Sequence, residues 1–180
     1  MKITLPHFMR SALPINISRV QTSDDHEMFV TLTPPAAPKG HGFIPEQIIG
    51  KLLDGRLGAD GNPLLTPENF ARNGVFLDFM HDVIKGYAPL DAGLIDAAKV
   101  HSGGWIYMLD GRFPMPNDDV PAEDVIGMFP VNNGQLGPYN RNPNHRLFTH
   151  RGFFVLSSSL QEKLLDELTL LLRQRKEPQE

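Results

Sequence analysis

The stretch that most constrains the fold of this chain is PENFARNGVFLDFMHDVIK, Pro67 to Lys85. Laid out at roughly 100° per residue, its apolar side chains cover about half the circumference of a helix. Phe70, Phe76, Leu77, Phe79, Met80, Val83 and Ile84 occupy that half, and Asp78, His81, Asp82 and Lys85 share the other. A stripe this wide, with three phenylalanines in it, predicts a helix buried against more than one neighbour. Thr66 is placed to cap the helix, Pro67 fits its first position and Glu68 suits its positive end. Gly86 marks its end, and Pro89 bars a restart.

Before this spine, INISRV and EMFVTLT flank the polar QTSDDH and predict two strands about a turn. Met28, Val30 and Leu32 alternate with Phe29, Thr31 and Thr33, the period of a half-buried strand. Thr33 to Gly42 is a proline- and glycine-rich connector. A short helix is predicted next, with Pro45 in its first turn, Ile48, Ile49, Leu52 and Leu53 on one side, and Gly55 as its stop. After the spine, a second helical piece is expected over Asp91 to Val100. Strands follow over Trp105 to Asp110 and Val125 to Val131, and the Asn132-Asn133-Gly134 run supplies hairpin chemistry. A last strand is expected near Leu147 to Leu156. Ser159 with Glu162 then forms a capping box ahead of a leucine-striped helix, and Arg173 to Glu180 should fray.

Sixteen prolines and sixteen glycines exceed average usage, which favours many turns and argues against a plain helical bundle. Strands at both ends with helices between them predict an α+β fold. In that reading a mainly antiparallel sheet packs against the central buried helix and a C-terminal amphipathic helix, in a single domain over residues 1–180. The sequence holds no cysteine, so disulfides, thiolate metal sites and cysteine nucleophiles are excluded. A net charge of −4 gives no general pull toward nucleic acid or anionic membrane. No apolar run reaches the roughly 18 residues of a membrane span, and the first residues lack a signal-peptide core. A cytoplasmic protein is the expectation.

Two constellations carry chemistry. His81-Asp82 resembles the helical His-Asp pair of metal-dependent phosphohydrolases, which also take an upstream histidine and a later aspartate. His41 and Asp96 are the candidates here for those outer ligands, and such a set would activate water for attack on phosphate. The plainer expectation is that Asp78, His81, Asp82 and Lys85 form a solvated face with i,i+3 pairs. The second constellation is YNRNPNHRLFTHR, Tyr139 to Arg151, which has no acidic residue. Tyr139, Arg141, His145, Arg146, His150 and Arg151 could contact an anionic ligand or an acidic partner surface, since arginine forks match phosphate and carboxylate oxygens. The plainer expectation here is a structural loop, its asparagines capping turns and its arginines paired with the chain's own acidic loop, Asn117 to Asp124. His145 and His150 together make half a zinc site at best. No P-loop, G-x-S-x-G or G-x-G-x-x-G occurs.

The reading that follows is a non-enzymatic binding or accessory protein. Its partner would be a protein or a small anionic ligand held by the Tyr139–Arg151 loop, and no cofactor is expected. The competing reading is the phosphohydrolase. Nucleic-acid binding through the same loop is a further alternative, against which the acidic net charge counts. Leu160, Leu164, Leu165, Leu168, Leu171 and Leu172 stripe one side of the last helix. Leu170 falls outside that stripe and could mark a homo-oligomer contact.

Overall fold

The computed structural model describes residues 13–21, 26–39, 42–59, 61–112 and 119–176. Alternating β-branched and polar residues set up the first hairpin, in which β1 (Ile15–Gln21) pairs antiparallel with β2 (His26–Leu32). Two further strands, β3 (Ile48–Leu52) and β4 (Phe70–Arg72), complete an antiparallel sheet in the order β1-β2-β3-β4. The predicted helix around Ile48 to Leu53 is therefore a strand. Only Pro45–Gln47 coil, as one 3-10 turn. Ile48, Ile49, Leu52 and Leu53 fit helical spacing, but β2 on one side and β4 on the other satisfy the backbone of this segment as a sheet interior. Ile49 and Leu52 reach the core, while Leu53 is exposed.

The spine helix begins later than its sequence signals. Thr66 and Asn69 close a turn on each other, Asn69 N–H donating to Thr66 Oγ1 and Thr66 N–H to Asn69 Oδ1. Phe70 to Arg72 are then captured by β3, and α1 runs over Gly74–Tyr87. Asn73 is its cap. Its side chain accepts from Val75 N–H and donates to the carbonyls of Pro45 and Ile48, so one residue both starts the helix and fixes it to β3. Phe76, Met80, Val83 and Ile84 are buried as the stripe predicts, with Leu77 and Phe79 packed beside them. The helix runs through Gly86 to Tyr87, and a 3-10 turn (Ala88–Leu90) then leads into α2 (Ala92–Lys99), capped by Asp91.

The second antiparallel sheet holds β5 (Gly103–Leu109), β6 (Val125–Asn132), β7 (Gln135–Leu136) and β8 (Asn140–Arg141), in the order β5-β6-β7 with β8 also on β6. Asn133 at φ 49° and Gly134 at φ 77° make the β6–β7 turn, the left-handed pair that an Asn-Gly hairpin requires. The predicted last strand is a minimal hairpin instead, β9 (Phe148–Thr149) against β10 (Gly152–Phe153).

The closing helix α3 (Ser158–Lys176) starts one residue before the predicted capping box. Ser157 Oγ accepts from Leu160 N–H, and Gln161 reaches back to the Leu156 carbonyl. The helix continues past the expected fraying point at Arg173, and Arg175 meets Glu46 at 2.7 Å; residues 177–180 lie outside the described set. Leu160, Leu164, Leu168 and Leu172 enter the same core as Val30, Phe76, Ile106 and Phe129. The expected α+β architecture holds, with α1 touching β3 and α3. Among the described residues no helix is long and apolar enough to cross a membrane.

Candidate functional site

The Tyr139–Arg151 segment rests on a buried ionic cluster. Asp110, at the end of β5, is wholly enclosed, and its Oδ2 meets Arg112 Nη2 at 2.8 Å and His145 Nε2 at 2.9 Å. Asp110 Oδ1 accepts from the backbone N–H groups of Arg112 and Val155. Arg112, equally buried, donates to Thr149 Oγ1 and to the carbonyls of Gly152 and Arg146. Asp124 lies 3.7 Å from Arg112 and binds Arg151 through its other oxygen. Burial pushes the Asp124 carboxyl above its ordinary range, and Arg151 and Arg112 pull against that. A buried charge persists only when paired, and here one guanidinium serves two carboxylates.

Asn142 completes the scaffold. Its amide donates to the carbonyls of Ala122 and Val125, and its Oδ1 accepts from Asn144 N–H. The chain's own asparagine and acidic residues thus hold the loop, as the plainer sequence reading expects.

Each residue singled out in this loop has a partner on the chain itself. Tyr139 lies across β6 at Gly127, where a Cβ would stand 2.4 Å from the phenol oxygen, so only glycine fits beneath the ring. Its hydroxyl meets His81 Nδ1 at 2.9 Å. Arg141 pairs with Asp78 at 2.6 Å and His150 with Glu68 at 3.4 Å, both at the surface. His145 is enclosed against Asp110. Arg146 Nε approaches Glu123 at 3.6 Å, and Arg151 contacts Glu123 and Asp124. The six residues therefore face several directions. Of the six, Arg146 alone lines the cleft beside β4.

The His81-Asp82 constellation does not assemble. His81 is 5% exposed and turned toward Tyr139, whereas Asp82 points to solvent. Asp96 pairs with Lys99 on the surface of α2. His41 lies outside the described residues, and among the described residues no group of three or more histidines and carboxylates could hold a metal ion. The solvated-face expectation also needs correction. His81 belongs to the core side, and Asp78 pairs across to Arg141 rather than along the helix. The imidazole sits where period alone placed a polar face because Tyr139 satisfies it there.

A cleft of about 660 Å³ opens between β4, the Pro121–Glu123 turn and the Pro143–Phe148 segment. Phe70 and Phe148 line it, their rings packed edge to face at 5.6 Å and backed by Phe153. Arg72 and Arg146 supply positive charge, with Asn144 and Glu123 beside them. Arg146 is shared with Glu123. Arg72 is exposed, and pairs with no carboxylate among the described residues. Sequence reading missed Arg72 because it took Phe70 to Arg72 as helix, which hid that a short strand carries this residue to the rim. Comparison with family models, with curated proteins and with solved structures finds no match to this chain.

Proposed function

We propose that this chain is a cytoplasmic binding protein that takes an anionic group, carboxylate or phosphate, in the cleft between β4 and the Pro143–Phe148 segment. The observation that carries the reading is Arg72, without a carboxylate partner among the described residues, beside Arg146 over a phenylalanine-lined wall. A guanidinium offers five N–H donors in a planar fork suited to carboxylate and phosphate oxygens, and a phenylalanine face suits a flat apolar body. The preferred ligand class is therefore an anion attached to a ring or an apolar chain. Glu123 tempers the field and orients Arg146, which leaves Arg72 as the fork with no carboxylate among the described residues.

Arg72→Glu and Arg146→Glu test this. Both side chains are exposed, so reversal should leave the fold intact. Thermal unfolding of the wild type with inorganic phosphate, a nucleoside monophosphate and an aromatic carboxylate should show a concentration-dependent rise in Tm for at least one ring-bearing anion. Each reversal is expected to weaken that binding by about 10- to 100-fold, the worth of one charge-assisted fork. A wild type indifferent to all three anions, or a rise that survives both reversals, would overturn the reading.

A further inference from the structure

We propose that β5 is the seam of a homodimer, pairing antiparallel with β5 of a second copy of this chain. β5 ends its sheet: β6 lies on one side, and among the described residues no strand pairs with Gly103 to Tyr107 on the other, while just past the strand the outward Gly111 N–H donates to the Val155 carbonyl. The register settles which backbone groups face outward. Asn133 N–H donates to the Ser102 carbonyl in the pairing that matches Gly103 with Asn132, so Gly104, Ile106 and Met108 direct their backbone groups at β6. Gly103, Trp105 and Tyr107 direct theirs away from it.

An outer strand of this kind is normally blunted by lysine, proline or a bulge that turns it aside. Both outer strands of the other sheet carry an exposed charge, Arg19 on β1 and Arg72 on β4. β5, GGWIYML, has seven residues and neither charge nor proline. Trp105, the chain's single tryptophan, stands 43% exposed on it, with Tyr107 half-buried on the same face.

The occupant is argued from the strand's self-complementarity. In a two-fold pairing centred on Ile106, Trp105 of each copy falls opposite Tyr107 of the other. Both are residues whose N–H and C=O point outward, so each pair can exchange two hydrogen bonds. The same register stacks two aromatic cross-strand pairs and opposes no like charges. An isologous contact closes on itself and leaves neither copy with this edge free. The seam uses none of the residues of the Arg72–Arg146 cleft and stands independently of that reading. It also differs from an association through Leu170 on α3.

Sedimentation velocity from low-micromolar to near-millimolar concentration should show a monomer–dimer equilibrium for the wild type. Tyr107→Lys and Trp105→Lys should be monomeric with unchanged circular dichroism, and Leu170→Glu should still dimerise. Hydrogen exchange on the wild type gives a second readout that needs no variant. The Trp105 and Tyr107 amides should slow by about tenfold or more between dilute and concentrated protein. A wild type that stays monomeric, or a dimer that survives both lysines but not Leu170→Glu, overturns the proposal. So do edge amides equally protected at every concentration, which would mean that the same chain covers the strand.

Discussion

Arg112→Met is expected to destabilise the fold by about 3–5 kcal/mol, the cost of removing one partner from a buried ion pair. The side chain is 2% exposed and faces two carboxylates that are wholly enclosed, Asp110 at 2.8 Å and Asp124 at 3.7 Å. Methionine fills a similar volume, so little of the loss comes from a cavity. It comes from leaving, among the described residues, Asp110 with His145 and two backbone N–H groups and Asp124 with Arg151. Three backbone or hydroxyl acceptors, at Thr149, Gly152 and Arg146, lose their donor as well. Urea unfolding of the two proteins measures the difference. Adding Asp124→Asn to Arg112→Met should recover part of the loss, because it removes one of the stranded charges. A loss below about 1 kcal/mol, the level of an exposed ion pair, would show that the cluster is solvated in the working protein.

The same residue links stability to the cleft. Arg112 Nη2 donates to the Arg146 carbonyl and His145 meets Asp110, so two side chains tie the backbone that carries one wall of the cleft to the end of β5. The Glu123–Asp124 turn is held from the same cluster by Arg151. A cleft built from loops gains its definition from such ties, since loops without them are the most mobile part of a fold. Charge in this region is thus divided by depth. The buried members fix the backbone, and Arg72 and Arg146 stand exposed at the rim of the cleft.

Elements whose period and end signals agreed were legible in the sequence. The leucines of α3, the Asn133-Gly134 turn, the β1–β2 hairpin and the helix α2 are where pattern and turn chemistry place them. The failures share a cause. Ile48 to Leu53 and Phe70 to Arg72 satisfy helical spacing, yet sheet partners distant in sequence captured both. Proline and threonine at Thr66-Pro67 signal a chain reversal as readily as a helix start, and here Asn69 closed the turn. The loop of Tyr139 to Arg151 stood out by composition. Composition, however, could not separate His145, sealed against Asp110, from Arg146 at the rim. Arg112 was invisible for the same reason, because its burial depends on strands and turns that meet only in the folded chain.

His81 gives the clearest pH signature. Burial lowers its imidazole from an ordinary 6.5 to about 4, helped by the nearby His145 and Arg141 and opposed by Asp78. The folded protein therefore holds His81 neutral over a range where the unfolded chain takes up a proton. Above pH 6.5 both states are neutral at this site, and its contribution to stability is fully present. As pH falls from there toward 4 the unfolded state gains protons that the native state refuses, and stability drops by about 3 kcal/mol in total. Asp124 acts in the other direction, since its raised carboxyl binds a proton in the native state first and steadies the fold as pH falls. The two are separated by His81→Gln, whose amide can still meet the Tyr139 hydroxyl but cannot titrate. Unfolding free energies measured between neutral pH and about pH 4 should show the wild type losing about 3 kcal/mol more than His81→Gln. Parallel curves for the two proteins would mean that the imidazole is hydrated and protonates freely, and that the Tyr139 contact does not hold it neutral.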